Sequence, residues 1–149
     1  MDEQHIDNLK LENQMCFPLY ACSKEIIRRY KPFLGPLDLT YTQYLTLMAL
    51  WEKQSISVKA LGECLYLDSG TMTPVLKKLE HKGYITRTRA VQDERSVVIA
   101  LTEEGLALKE KAQTIPARLS ACVKLAPEEA ATLHHLLRKL LSILESEEL

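Results

Sequence analysis

The side chains best equipped for chemistry in this 149-residue chain are four cysteines, at positions 16, 22, 64 and 122. A thiolate attacks oxidants, and its first product, a sulfenic acid, is reversible when a second thiol traps it as a disulfide. Residues 1–8 lack the basic and apolar regions of an export signal, and no run of eighteen apolar residues occurs, so a soluble cytoplasmic protein is expected. In that reducing compartment constitutive disulfides are not expected, and any oxidation would be transient and informative. Cys16 and Cys22 make a poor pair: six residues of helix separate them by roughly 9 Å of rise, past the ~7 Å limit for a disulfide, and about 600° of rotation turns them apart. Cys64 sits beside the apolar face of a short helix, where a free cysteine is expected to be a small buried hydrophobe. The histidines do not form a metal site, because His134 and His135 diverge by about 100° and His5 and His81 have no partners at ligand spacing. No metal or cofactor is expected.

The elements that must position this chemistry centre on residues 56–105. Ser57 can cap a helix with Val58, Leu61 and Leu65 on one face, and Tyr66 to Thr71 makes a turn. From Thr71 to Lys82, Met72, Val75, Leu76 and Leu79 fall at i, i+3, i+4 and i+7, the spacing of one buried stripe. Gly70, Pro74, Lys77 and His81 lie opposite, flanked by Thr71, Thr73 and Lys78, a face small near its start and basic farther along. Such a face suits a helix in the DNA major groove, with hydroxyls near base edges and lysines near phosphates; an ordinary solvated face has the same pattern. Gly83 stands where a left-handed helix end is favoured, and Tyr84 to Thr88 and Val97 to Leu101 read as strands around a polar tip, Gln92-Asp93-Glu94-Arg95. A hairpin directly behind a helix-turn-helix is a winged helix. Charge agrees: between Lys77 and Arg95, Lys77, Lys78, Lys82, Arg87, Arg89 and Arg95 face only Glu80, Asp93 and Glu94, although the whole chain has a formal net charge of -1.

The flanks read as helical. Leu9 to Phe33 carries Leu11, Met15, Leu19, Ile26, Ile27 and Tyr30 along one side, with Pro18 marking either a new helix start or a kink, and Lys31-Pro32 and Gly35-Pro36 ending the unit. Thr40 caps a helix over Tyr41 to Trp51, with Tyr44, Leu47, Met48 and Trp51 inward. Leu106 to Ala121 is helical except at Pro116, and a helix beginning at Pro127 carries Leu133, Leu136, Leu137, Leu140, Leu141 and Leu144 as a broad stripe. The expected architecture is mainly α (α+β): one domain over 1–149, with the winged helix-turn-helix over 56–105 and a helical dimerisation region from 8–36 and 106–149. More apolar surface is present than so small a winged helix can use, which predicts a homodimer; packing of the same leucines within one chain is the alternative. Twofold symmetry would set two recognition helices roughly 34 Å apart, so the DNA partner would be an inverted repeat.

Leu67-Asp68-Ser69-Gly70-Thr71-Met72-Thr73-Pro74, Lys77-Lys78-Leu79-Glu80, and Asp93-Glu94-Arg95 followed by Leu101-Thr102-Glu103-Glu104-Gly105 resemble the MarR family of dimeric winged-helix repressors. The resemblance implies that Arg95 enters the minor groove, oriented by Asp93, and that the helix bearing Thr71 and Thr73 reads the major groove. Ser69, Lys77, Lys78, His81 and Arg87 complete the candidate DNA-binding set.

Within that family, Leu11-Glu12-Asn13-Gln14-Met15-Cys16-Phe17, Tyr30-Lys31-Pro32 and Thr40-Tyr41-Thr42-Gln43-Tyr44-Leu45 resemble the organic-hydroperoxide resistance regulators over nearly the whole chain. That resemblance implies a peroxide-sensing thiol at Cys16, supported by Tyr30 and Tyr41 from the partner subunit and by Tyr20, with organic hydroperoxide as the signal. Pro18, where other members carry an ordinary apolar residue, is a departure. Peroxides react with thiolate, and phenols that bond to the anion favour it. The same resemblance places Cys122 where two-cysteine members carry the resolving thiol, a mixed disulfide with a small cellular thiol being the other route. A repressor released by a small aromatic ligand and a thiol peroxidase are the rival functions; the resemblance itself implies no enzyme.

Overall fold

Pro18 decides where the first long helix can begin. In the computed structural model, which describes residues 7–146, a 3-10 turn at Leu11–Asn13 gives way to helix α1, Cys16–Leu34. Pro18 therefore falls in the first turn, where its missing N–H removes no helical bond. Of start and kink, the chain takes the start, and the helix does not extend back to Leu9. Pro32, in contrast, does not end it: α1 continues to Leu34, giving up the bond that residue 32 would have made to Arg28, and a 3-10 turn at Gly35–Leu37 follows. Asp38 then reverses the chain at φ 52°, a left-handed conformation that aspartate tolerates better than most residues.

Thr40 starts α2, Tyr41–Lys53, with a reciprocal cap: its hydroxyl accepts from the Gln43 N–H at 3.3 Å, and Gln43 Oε1 accepts from the Thr40 N–H at 3.1 Å. Tyr44 and Leu47 face inward as the spacing predicts, but Met48 does not, being 42% exposed; Thr46 is buried instead, its hydroxyl satisfied by the Thr42 carbonyl at 2.8 Å.

The strand β1, Ser55–Ser57, was not legible in the sequence because three residues are too few for alternation to register. It completes an antiparallel sheet of order β1-β3-β2, with Ile56 opposite Ile99. Helix α3, Val58–Leu65, is capped by Ser57, and Tyr66 closes it at φ 56°. Helix α4 runs Ser69–His81, starting two residues before Thr71 because the Asp68 carboxylate accepts from the Thr71 N–H at 2.7 Å. Met72, Val75, Leu76 and Leu79 are all buried, joining Leu47, Leu50, Leu61 and Ile99 in the core. The wing strands are longer than their apolar runs, β2 Ile85–Ala90 and β3 Asp93–Leu101, with a register shift between Arg89 and Ala90. The apex is thus Val91-Gln92, and Asp93 and Arg95 belong to the strand rather than the tip.

Two glycines hold this unit together. Gly83 ends α4 at φ 80°, and its carbonyl accepts from the Thr102 hydroxyl at 2.6 Å. That hydroxyl also accepts from the Gly105 N–H at 3.1 Å, capping α5, Glu103–Ala112. At Gly105 a Cβ would stand 2.2 Å from the Tyr84 carbonyl oxygen, and the Gly105 carbonyl accepts from Trp51 Nε1 at 2.9 Å.

The chain divides into two compact units, Met1–Thr114 and Ile115–Leu149. The second holds α6, Ile115–Val123, and α7, Pro127–Ser146. The stretch read as helical over 106–121 except at Pro116 divides into two helices, with Pro116 in the first turn of α6. In α7, Leu133, Leu136, Ile143 and Leu144 are exposed; so, in α1, are Leu19, Ile26 and Ile27. No helix among the described residues is long and apolar enough to cross a membrane.

Gly105→Ala is expected to lower stability by about 1–3 kcal/mol, because the new methyl group can be placed only by moving backbone. Gly35→Ala, with open space around its Cβ, is the control and should change stability by no more than about 1 kcal/mol. Urea unfolding of both variants measures the difference.

Candidate functional site

The exposed side of α4 collects the residues expected to meet DNA. Ser69, Thr71, Thr73, Lys77, Lys78 and His81 are all exposed on one helix. Asp68 fixes its start, and the Thr71 N–H holds the Asp68 carboxyl below the usual carboxylate range. The Thr73 hydroxyl donates to the Ser69 carbonyl at 2.8 Å, an arrangement that leaves its oxygen free to accept. On the wing, Arg89 and Arg95 are exposed. Asp93 contacts Arg95, but through the main chain: its Oδ1 accepts from the Arg95 N–H at 3.0 Å, so it braces the strand that carries the guanidinium.

Arg87 is differently placed. Its Nη2 lies 3.0 Å from Glu80 Oε1, tying the wing to α4, and its Nε is buried with no partner among the described residues. This hydrogen bond is the main reason the Glu80 carboxyl is held below its ordinary range. Cys64 departs from expectation, since it is exposed on α3 rather than buried.

The second cluster is aromatic. Tyr30 on α1 and Tyr41 on α2 bring their ring centroids within 4.8 Å, and Tyr44 stands 5.7 Å from Tyr30 and 6.5 Å from Tyr41. Tyr44 was read only as a core residue; its place one helical turn after Tyr41 is the signal that could have assigned it to the cluster. Desolvation pushes the Tyr30 phenol up to about 12, with the neighbouring Tyr41 and Tyr44 phenols adding to the shift. Burial also raises Tyr41 and Tyr44. All three therefore remain protonated donors well above neutral pH. Beside Tyr41 lies a cavity of about 400 Å³, lined by Ile27, Lys31, Leu34, Gly35, Leu39 and Thr40.

Cys16 is the first residue of α1, free and exposed, and Cys22 and Cys122 are likewise free and exposed, Cys122 on α6. Tyr20 does not join the other phenols: Lys24 Nζ donates to its oxygen at 3.2 Å and sits 5.0 Å from its ring centre. Among the described residues no group of three or more His, Cys, Asp or Glu is arranged to hold a metal ion, and His5 lies outside the described residues.

A capped helix with a polar, basic outer face, followed by a hairpin that carries exposed arginines, is the layout of a winged-helix transcriptional regulator. The family of SarA/Rot transcriptional regulators matches residues 28–112. The organic hydroperoxide resistance transcriptional regulator of Bacillus subtilis is 51% identical over 142 residues, covering 95% of this chain and 97% of that protein. Among solved structures, AbfR of Staphylococcus epidermidis is similar at a TM-score of 0.77 and 30% identity, over 96% of this chain and 99% of that one. AbfR has also been solved reduced on DNA, overoxidised on DNA, and in a disulfide form. Reduced MarR from E. coli is similar at a TM-score of 0.70 and 28% identity, over 86% of this chain and 96% of that one. The chain belongs to this family of MarR-type winged-helix transcriptional regulators, in the branch of the organic hydroperoxide resistance regulators. Membership makes it a regulator and not a thiol peroxidase, and regulators of this family are dimers.

The Tyr30 shift has a measurable sign. Its folded-state value of about 12 exceeds the ordinary 10.0, so folding favours the protonated phenol; this contribution to stability is complete below pH 10 and fades as pH rises toward 12. Tyr30→Phe is expected to remove a step of phenolate absorbance near pH 12 and to flatten the loss of stability across that window. An alkaline absorbance titration with parallel urea melts reads both.

Proposed function

We propose that the chain is a cytoplasmic redox-sensing repressor that binds an inverted-repeat operator as a homodimer. It releases DNA when an organic hydroperoxide oxidises Cys16, through an intersubunit disulfide with Cys122. The observation that carries this reading is the Tyr30–Tyr41 pair, two phenols kept protonated by burial and therefore available to steady a thiolate from the partner chain. In the first step the Cys16 thiolate takes the terminal peroxide oxygen, the O–O bond breaks, and the alkoxide leaves as an alcohol after gaining a proton. In the second, the Cys122 thiolate attacks the sulfenic sulfur and displaces hydroxide, which leaves as water.

Selectivity for organic peroxides has support in the cavity beside Tyr41, whose Ile27, Leu34 and Leu39 walls favour an alkyl or aryl tail over water. Release through a disulfide, rather than through oxidation alone, has support in AbfR, whose overoxidised form was solved on DNA. On the operator, Ser69, Thr71 and Thr73 would face base edges in the major groove and Lys77, Lys78 and His81 the phosphates, with Arg95 in the minor groove. Arg87 contributes by bracing the wing through Glu80. Relieving repression a hundredfold needs only about 2.7 kcal/mol of difference in DNA affinity between reduced and oxidised dimers.

Gel shift of an inverted-repeat operator, with non-reducing electrophoresis alongside, tests the scheme. Reduced protein should bind, and protein treated with organic peroxide should release DNA as a covalent dimer appears. Cys16→Ser should bind DNA and ignore peroxide; continued response in that variant would exclude Cys16 as the sensor. Cys122→Ser should lose the covalent dimer, and a dimer persisting without it would assign resolution to another thiol.

A further inference from the structure

Lys82, the residue immediately after α4, does not join the exposed basic face. Its ammonium donates to the Asp38 main-chain carbonyl, lies 3.2 Å from the Asp38 carboxylate and 3.4 Å from Gln43 Oε1. An ammonium has three donors, and three acceptors surround this one. The side chain is only 24% exposed, although the Asp38 side chain is 93% exposed, so the lysine is drawn inward across the protein rather than outward to solvent.

All three acceptors belong to the segment that seats Tyr41. Asp38 is the left-handed residue that turns the chain into α2, and Gln43 closes the reciprocal cap with Thr40. Tyr41 lies between them, with Tyr30 against its ring. One charge-assisted group thus joins the end of α4 to the start of α2. Apolar packing between the two helices tolerates sliding, whereas two hydrogen bonds and an ion pair from a single ammonium resist it in direction as well as distance.

We propose that Lys82 is the positioning residue that passes movement of the phenol cluster to the recognition helix, so that displacement of the 38–43 segment shifts α4. The identity of the trigger rests on the peroxide-sensing reading above; the mechanical link does not.

Two measurements separate the link from the trigger. In the first, Lys82→Met should bind operator in the reduced state within about threefold of wild type and should form the Cys16 disulfide at the wild-type rate. Where oxidised wild type loses about a hundredfold in DNA affinity, the oxidised variant should lose less than about tenfold, and Lys82→Arg should restore most of the response. Full release by oxidised Lys82→Met, or failure of the reduced variant to bind, overturns the proposal. The second needs no peroxide: Tyr41→Ala should change the operator affinity of reduced protein, and the change should shrink by at least about threefold when Lys82→Met is also present. No effect of Tyr41→Ala, or strictly additive effects, overturns the link. Retention of DNA by fully oxidised wild type would instead overturn the peroxide-sensing reading, leaving the link to be decided by the second measurement.

Discussion

The meeting of two backbones at Gly105 is the constraint on which the DNA-binding unit depends. The Tyr84 carbonyl comes so close that no side chain fits, and the same few residues hold the end of α4, the root of both wing strands, the start of α5 and the indole of α2. The Leu-Thr-x-x-Gly stretch is therefore a joint rather than a contact surface. Its threonine serves two elements with one hydroxyl, donating to Gly83 and accepting from Gly105. Because the wing and the recognition helix share this joint, their relative angle is set by hydrogen bonds and by the absence of a Cβ, with Arg87–Glu80 as a second brace farther out.

Helix α2 runs between that joint and the aromatic cluster. Trp51 near its end donates into the joint; Tyr41 and Tyr44 near its start pack with Tyr30, and Tyr44 meets Trp51 edge-on at 6.3 Å. The reciprocal cap of Thr40 and Gln43 fixes where this helix begins, and Lys82 attaches that beginning to α4. The phenol cluster and the joint behind the recognition helix thus sit at the two ends of one helix.

Much of this was readable in the residues. The stripe of Met72, Val75, Leu76 and Leu79 located the recognition helix because a 3.6-residue period is hard to produce otherwise, and Gly83 marked its end, whereas the next helix starts at Glu103, ahead of the Leu106 expected, because Thr102 caps it. Boundaries were less legible, since they follow from single hydrogen bonds: Asp68 starts α4 earlier than its apolar stripe does, and the wing strands outrun their apolar runs to an apex at Val91-Gln92. The short strand β1 carried no pattern of its own and exists because β3 has an open edge to receive it. Side-chain pairings across the chain, such as Lys82 with Asp38 and Gln43 or Arg87 with Glu80, leave no trace in local periodicity. Counting lysines and arginines along the stretch therefore overestimated the cations presented outward.

The uninterrupted course of α1 has one more implication. Fourteen residues of continuous helix hold Cys16 and Tyr30 of the same chain roughly 21 Å apart along the axis, far beyond the combined reach of their side chains. A sulfur–phenol encounter between these positions can arise only where two chains cross. Under the peroxide-sensing function proposed above, a lone subunit would therefore be deaf to oxidant, because the phenols that steady its sulfur come only with a second chain.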